Sequence, residues 1–333
     1  MSPSATSSYT PLPSLRSQPR LVPSLECRSP PKPDPLSESQ LAALDTLRTQ
    51  IHSTESFSAK QKAWASDDTL VRYLKARKWN LAEAKLAVVE SMQWRESYNP
   101  AKPDREGLWT ETSAGKLYVS GFDMESRPLL YMKPRLENTA ASPAQIRHVC
   151  FHLETAIALM PEGVQNLAIL IDFSGSSMRT NPGVAVAREI INVLGSHYPE
   201  RLGKAYIIHA PWFFFPFYKL ISPFMDPVTK SKVNFVDMKK QKPRSLISTP
   251  SSSAAASEAD AESVRSSKKA SSSPSTGASG AGASDNINLL DMIPEDMLEQ
   301  EFGGSSDYVY DQEAYWTAVE KVLAEAEKKL EKA

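Results

Sequence analysis

Apolar residues take on a helical period at Ser37. Leu41, Leu44, Leu47 and Ile51 recur three or four residues apart, and Ser37 with Gln40 has the spacing of a capping box, so a helix is predicted from here. In DDTLVRYLKARKW the residues Leu70, Tyr73 and Leu74 mark one helical face beside the basic run of Arg72, Lys75, Arg77 and Lys78. Asn80 and Glu83 start another helix, which carries Leu81, Ala84, Val88 and Met92 into WRE at 94–96. Residues 37–104 therefore read as a small helical module.

From Lys116 the period shortens. LYVSG and PLLYMK flank residues 122–127 and read as two strands around a turn. AILIDF, KAYIIHA and KVNFV are continuous apolar runs of strand length, and Val184 to Leu194 between the first two is helical. Strands alternating with helices imply an α/β lobe with a mostly parallel sheet, assigned to residues 105–310, followed by a C-terminal helix at 311–333. One stretch stands out within the lobe. PWFFFPFYKLISPFM, residues 211–225, sets a Trp and three consecutive Phe beside prolines and a single Lys, in a helix-like pattern that the prolines interrupt.

Two tracts lack any such pattern. Residues 1–36 are dense in Ser and Pro, too poor in apolar side chains to offset the entropy of ordering, and are expected to be a disordered tail. Residues 249–285 are nearly devoid of large apolar side chains and read as a disordered insert, because patterning resumes with INLLDMIPEDMLEQEFGG.

Composition narrows the function classes. With 333 residues, 41% hydrophobic and 23% charged, the chain can bury a sizeable core. Its 38 Lys and Arg balance 39 Asp and Glu, so no global field favours nucleic acid and any anion recognition must be local. Cys27 and Cys150 form no CxxC pair and no signal-peptide pattern is present, which makes a reducing cytoplasm the expected compartment. Pro216, Lys219 and Pro223 break the aromatic stretch before the ~20 residues that a spanning helix needs.

Catalytic motifs are missing where they would have to stand. The loop SGSSMRTNPG after AILIDF contains neither GxGxxG nor GxxxxGK[ST], so no phosphate-cradling turn follows that strand. GxSxG is also absent, and Ser174, Ser176 and Ser177 are expected as turn formers. His148 and His152 share the i, i+4 spacing of a metal pair but lack HExxH and a third ligand, and are expected on a helix surface. No metal, cofactor or covalent chemistry is expected.

Against that background three segments acquire meaning together. DDTLVRYLKARKWNLAEAKLAVVESMQWRESY, YPERLGK and DPVTKSK resemble, in order, the N-terminal module and the lipid-binding lobe of the CRAL-TRIO family of lipid-transfer proteins. YMKPRLENT, HYPERLGKA with APW, and the late FGG are most similar to its fungal pleiotropic-drug-resistance subgroup. The resemblance implies an apolar pocket closed by a gate helix and a carrier that is not an enzyme. It further implies that Arg77, Glu200, Thr229 and Lys232 hold a phosphatidylinositol headgroup. The chemistry is consistent, since a phosphodiester wants cationic donors and inositol hydroxyls want a carboxylate acceptor.

A departure from the family sharpens the ligand. Members that take phosphatidylcholine carry hydroxyl side chains around the choline phosphate, and the matching positions here are Val119, Leu130, Leu167 and Ile169. An unpaired phosphate against that wall would cost several kcal/mol, so a sterol is expected as second ligand. The resemblance makes the gate of Trp212, Phe213, Phe214, Phe215, Phe217 and Phe224, and implies transient contact with membrane surfaces. Two alternatives remain open: a carrier of a tocopherol-like or retinoid-like molecule, and, in a different class, an esterase.

Overall fold

A computed structural model describes residues 15–30, 34–178, 183–242 and 287–332. The helical part comprises α1 (Glu38–His52), α2 (Ala59–Trp64), α3 (Asp67–Ala76) and α4 (Leu81–Tyr98), with α5 (Arg105–Thr112) leading into the lobe. Ser37 and Gln40 form the predicted reciprocal cap, and Ser58 with Gln61 repeats it at α2. Leu44, Leu47, Ile51, Leu70, Tyr73, Leu74, Val88 and Met92 make one buried cluster, as their spacing requires.

The lobe runs β1 (Leu117–Phe122), β2 (Pro128–Met132), α6 (Pro143–Ala158), β3 (Leu167–Asp172), α7 (Val184–His197), β4 (Leu202–Ile208), α8 (Phe214–Ile221), α9 (Pro227–Ser231), β5 (Val233–Val236), α10 (Leu289–Met292) and α11 (Gln312–Lys332). The sheet order is β1-β2-β3-β4-β5, antiparallel only between β1 and β2. Alternation along the strands divides the core. One face sends Tyr118, Leu129, Tyr131, Leu170 and Tyr206 against Leu289, Leu298, Phe302, Tyr315 and Trp316 from the C-terminal region. The other meets α6 and α7, then α8 at its β4–β5 end.

Residues 15–30 are not the free tail that their composition predicts. Arg20 lies along the outer edge of β1, accepting from the Gly121 N–H (2.7 Å) and donating its own to Ser120 Oγ (3.1 Å). Further on, the Arg28 N–H reaches Met124 O (2.8 Å) and Ser126 Oγ donates to Arg28 O (2.8 Å). An edge strand presents unpaired main-chain groups to any segment that can cover them, whatever its side-chain period. Residues 1–14 and the 249–285 insert lie outside the described residues. The chain flanking that insert closes on itself, with Gln241 bonded to both Ile287 O (2.9 Å) and the Leu289 N–H (2.7 Å). Among the described residues no helix is long and apolar enough to cross a membrane.

Candidate functional site

The turn between α7 and β4, Tyr198 to Arg201, is held from three sides. Trp94 of α4 stacks on His197 (centroids 4.1 Å apart), Ser91 Oγ lies 2.9 Å from His197 Nδ1, and the Tyr73 hydroxyl donates to His197 O (3.2 Å). The turn is completed by Glu200 in the left-handed region (φ 58°), a conformation that costs a non-glycine residue of order 1 kcal/mol or more and concentrates at functional positions. Lys232 caps α9, and its carbonyl accepts from the Ala205 N–H of β4 (2.9 Å). That registration sets Lys232 Nζ 3.3 Å from Glu200 Oε2.

Glu200 and Lys232, 32 residues apart with β4, α8 and α9 between them, are thus brought together, and both are partly buried, not free surface charges. Thr229 is placed otherwise: its main-chain N–H (2.8 Å) and its hydroxyl both go to Asp226, the residue that caps α9. Burial of Asp226 opposes ionisation, but these bonds outweigh it and hold the carboxyl below its usual range. Arg77 ends α3 and is followed by Lys78 and Trp79, both left-handed (φ 50° and 65°). It makes no hydrogen bond or ion pair with Glu200, Thr229 or Lys232.

Val119, Leu130 and Ile169 occupy one row across β1, β2 and β3, with Leu167 two residues from Ile169 on the same face. Val119, Leu130 and Leu167 are fully buried and Ile169 is partly so, in an apolar layer with Ile146 and Leu153 of α6. Further along this face the aromatic stretch divides. Phe214 is buried against Phe173 and Ile207, and Phe217 packs at the margin of that cluster. Trp212 is 76% exposed, Phe215 51% and Phe224 42%, with Phe213 intermediate. Pro216 falls in the first turn of α8, where its missing N–H has no helical partner to lose, and Pro223 follows the helix end. Arg188 of α7 lies over the Phe224 ring (4.5 Å), tying the two elements.

His148 and His152 are not on a helix surface. Both are buried, their rings 4.5 Å apart, and the Nε2 atom of each has no partner. Burial pushes both below the ordinary imidazole value, His152 to about 4. Ser174 donates its hydroxyl to Asp172 (2.6 Å), whose other oxygen meets His209 Nδ1 (2.9 Å), so the serine sits in a turn and not on a histidine base.

Sequence reasoning passed over a set of arginines beside this site. Arg72 is buried, although charge alone placed it on the basic surface of its helix. Its spacing carried the signal, because Thr69, Arg72 and Tyr73 follow the i, i+3, i+4 rule and all three are buried. Arg95 makes a two-bond pair with buried Glu154 (2.8 and 2.7 Å), which also accepts from the Tyr198 hydroxyl (2.8 Å).

Comparison with known families decides the placement of this architecture. Residues 43–87 match the CRAL/TRIO N-terminal domain and residues 112–249 match the CRAL/TRIO domain. The chain belongs to the CRAL/TRIO family. It is 35% identical over 281 residues to a CRAL-TRIO domain-containing protein of Schizosaccharomyces pombe, an alignment covering 84% of this chain and 22% of that one. It is 37% identical over 189 residues to the phosphatidylinositol transfer protein PDR17 of Saccharomyces cerevisiae, covering 53% of each. With the phosphatidylinositol transfer protein CSR1 of Eremothecium gossypii the identity is 32% over 185 residues, covering 51% of this chain and 42% of the other. The aligned part spans about half the length of these CRAL/TRIO relatives or less.

Proposed function

We propose that this CRAL/TRIO protein carries phosphatidylinositol between membranes, binding its headgroup at Arg77, Glu200, Thr229 and Lys232 and taking a sterol in place of phosphatidylcholine. The observation that carries the reading is the Glu200–Lys232 pair at 3.3 Å, with the acceptor on a left-handed turn that the fold goes to some length to hold. A cation and a carboxylate at a partly open position offer a phosphodiester and an inositol ring their complementary partners. PDR17 and CSR1, named as phosphatidylinositol transfer proteins, favour the same ligand. The buried row of Val119, Leu130 and Ile169 with Leu167 provides no hydroxyl to a choline phosphate, which favours the sterol.

Membrane contact follows from the exposed aromatics. Trp212, Phe215 and Phe224 expose apolar area to water that a bilayer would cover, so a membrane favours whichever state presents them. The α8 segment then acts as the gate.

Transfer between vesicles tests the headgroup assignment. Lys232→Ala and Glu200→Ala are expected to slow phosphatidylinositol transfer by about tenfold or more, the effect of losing a charge-assisted hydrogen bond, while the thermal transition stays near that of wild type. Wild-type rates in both variants would remove the assignment. Phosphatidylcholine transfer as fast as that of phosphatidylinositol would remove the sterol reading and leave the headgroup site standing.

A further inference from the structure

Behind the Tyr198–Arg201 turn lies a cavity of about 580 Å³, walled by α2, α3, α4 and α11. Its lining is apolar along Trp64, Met92, Leu323 and Leu330 and cationic at Arg72 and Arg201, while the wall carboxylates Glu96, Glu320 and Glu327 are engaged by Gln61, Arg105 and Lys60. The Arg72 guanidinium donates to Thr69 Oγ1 (2.7 Å) and to Gln165 Oε1. Arg201 donates to the main-chain oxygen of the same Gln165 (2.7 Å) and to Met160 Sδ (3.6 Å). These bonds leave most of the guanidinium donors unused.

Neither arginine forms an ion pair with a carboxylate among the described residues. Glu154, in the cavity wall, is committed to Arg95 and Tyr198, and Asp68 meets Gln165 Nε2 (2.8 Å) instead of a guanidinium. Burial draws Arg72 down to about 9 and Arg201 to about 10; the Arg201 charge adds to the effect at Arg72 and that of Arg95 to both, while Glu154 opposes it at Arg201 and Asp68 at both. Both remain cations at neutral pH. Buried charges are ordinarily paired, and here two of them share a glutamine at the wall of an open space.

We propose that this cavity is a second anion site, which takes an amphipathic phosphate monoester with its head on Arg72 and Arg201 and its apolar body against Trp64, Met92, Leu323 and Leu330. A cavity of this size encloses a small ligand with one charged head. The forked guanidinium geometry suits phosphate oxygens better than a point charge would. The site stands apart from the Glu200–Lys232 pair: consecutive residues of one turn, Glu200 and Arg201, serve opposite sides of it. The phosphate head could belong to a membrane lipid, phosphatidic acid, or to a soluble metabolite, and the head chemistry is the same for both.

Isothermal titration of the full chain with dioctanoyl phosphatidic acid, glycerol phosphate and inorganic phosphate tests the site. Binding of at least one of them is expected, weakened about tenfold or more in Arg72→Gln/Arg201→Gln. Tighter binding of the dioctanoyl lipid assigns a lipid source, and equal binding of all three assigns a soluble one. The proposal is overturned if no probe gives binding heat, or if the double variant binds as wild type does. If the double variant does not fold, Arg201→Gln alone carries the same comparison, since Arg201 is the less buried of the two. Because the readout is binding and not lipid transfer, this site and the headgroup site can fail separately.

Discussion

A Cβ at Gly304 would collide with the carbonyl oxygen of Leu298, and Gly303 beside it is left-handed (φ 91°). These glycines close the loop that carries Glu299, whose buried carboxylate accepts from the Tyr118 hydroxyl (2.6 Å) and Lys133 Nζ (3.0 Å) on the sheet. Gly304→Ala is therefore expected to destabilise the protein by about 1–3 kcal/mol, as overpacking does, and chemical denaturation measures it. His148 sets a different single-residue expectation. Its folded imidazole is held well below the ordinary value of 6.5 by burial, first of all, and by His152. Above pH 6.5 both folded and unfolded forms are neutral and the residue has no pH-linked effect. Below it the unfolded chain takes up a proton that the folded chain refuses, so stability falls with falling pH, by up to about 1.4 kcal/mol per pH unit for each such histidine. His148→Leu should remove one proton's share of that slope below pH 6.5. An unchanged slope in the variant would show that His148 does not titrate differently on unfolding.

At the scale of elements, α8 combines two kinds of aromatic. Phe214 anchors the helix in the core, 4% exposed, and Phe214→Ser is expected to cost about 3 kcal/mol or more through the cavity it leaves. Trp212 and Phe215 face outward, so Trp212→Ala/Phe215→Ser should leave the thermal transition nearly unchanged and slow exchange between vesicles more than it reduces the lipid bound at equilibrium. Amide exchange of residues 211–232 with and without vesicles checks the mechanism. Identical protection in both conditions while transfer proceeds normally would place the gate elsewhere. The pattern announced an apolar helix broken by prolines, and α8 has that form. It could not say which ring is the anchor, because a run of adjacent Phe residues carries no period to phase against one face.

For the whole molecule, the two ends that flank residues 243–286 are joined by the hydrogen bonds of Gln241 to Ile287 and Leu289 and by the Lys242 N–H to Asn288 Oδ1 (3.4 Å). Because the flanking ends already meet, removing 249–285 and leaving 243–248 with 286 as the link demands no rearrangement of the folded part. Closing a loop also grows only slowly more costly with length. The deletion should keep both the thermal transition and lipid transfer at wild-type levels. Loss of either in calorimetry or vesicle assays would assign the tract a structural role.

Local sequence determined the elements: the capping pairs at Ser37 and Asn80, the apolar period of α1 to α4, and the strand runs of β3 and β4 are properties of neighbouring residues, and periodicity records them directly. The ordered motifs YPER and DPVTKSK also carry Glu200 and Lys232, which the resemblance proposes as headgroup residues. Only the tertiary structure decided that those two side chains meet, since that depends on the register of β4 with β5, whereas Thr229 is held by the local cap on Asp226 three residues before it. It alone ordered residues 15–30, through main-chain bonds that no side-chain pattern encodes. It also buried His148, His152 and Arg72, whose types suggest a surface until the packing of α6, α11 and the Tyr198–Arg201 turn closes around them. Burial of a polar group is a property of what lies opposite it, and what lies opposite is set by residues far away in the chain.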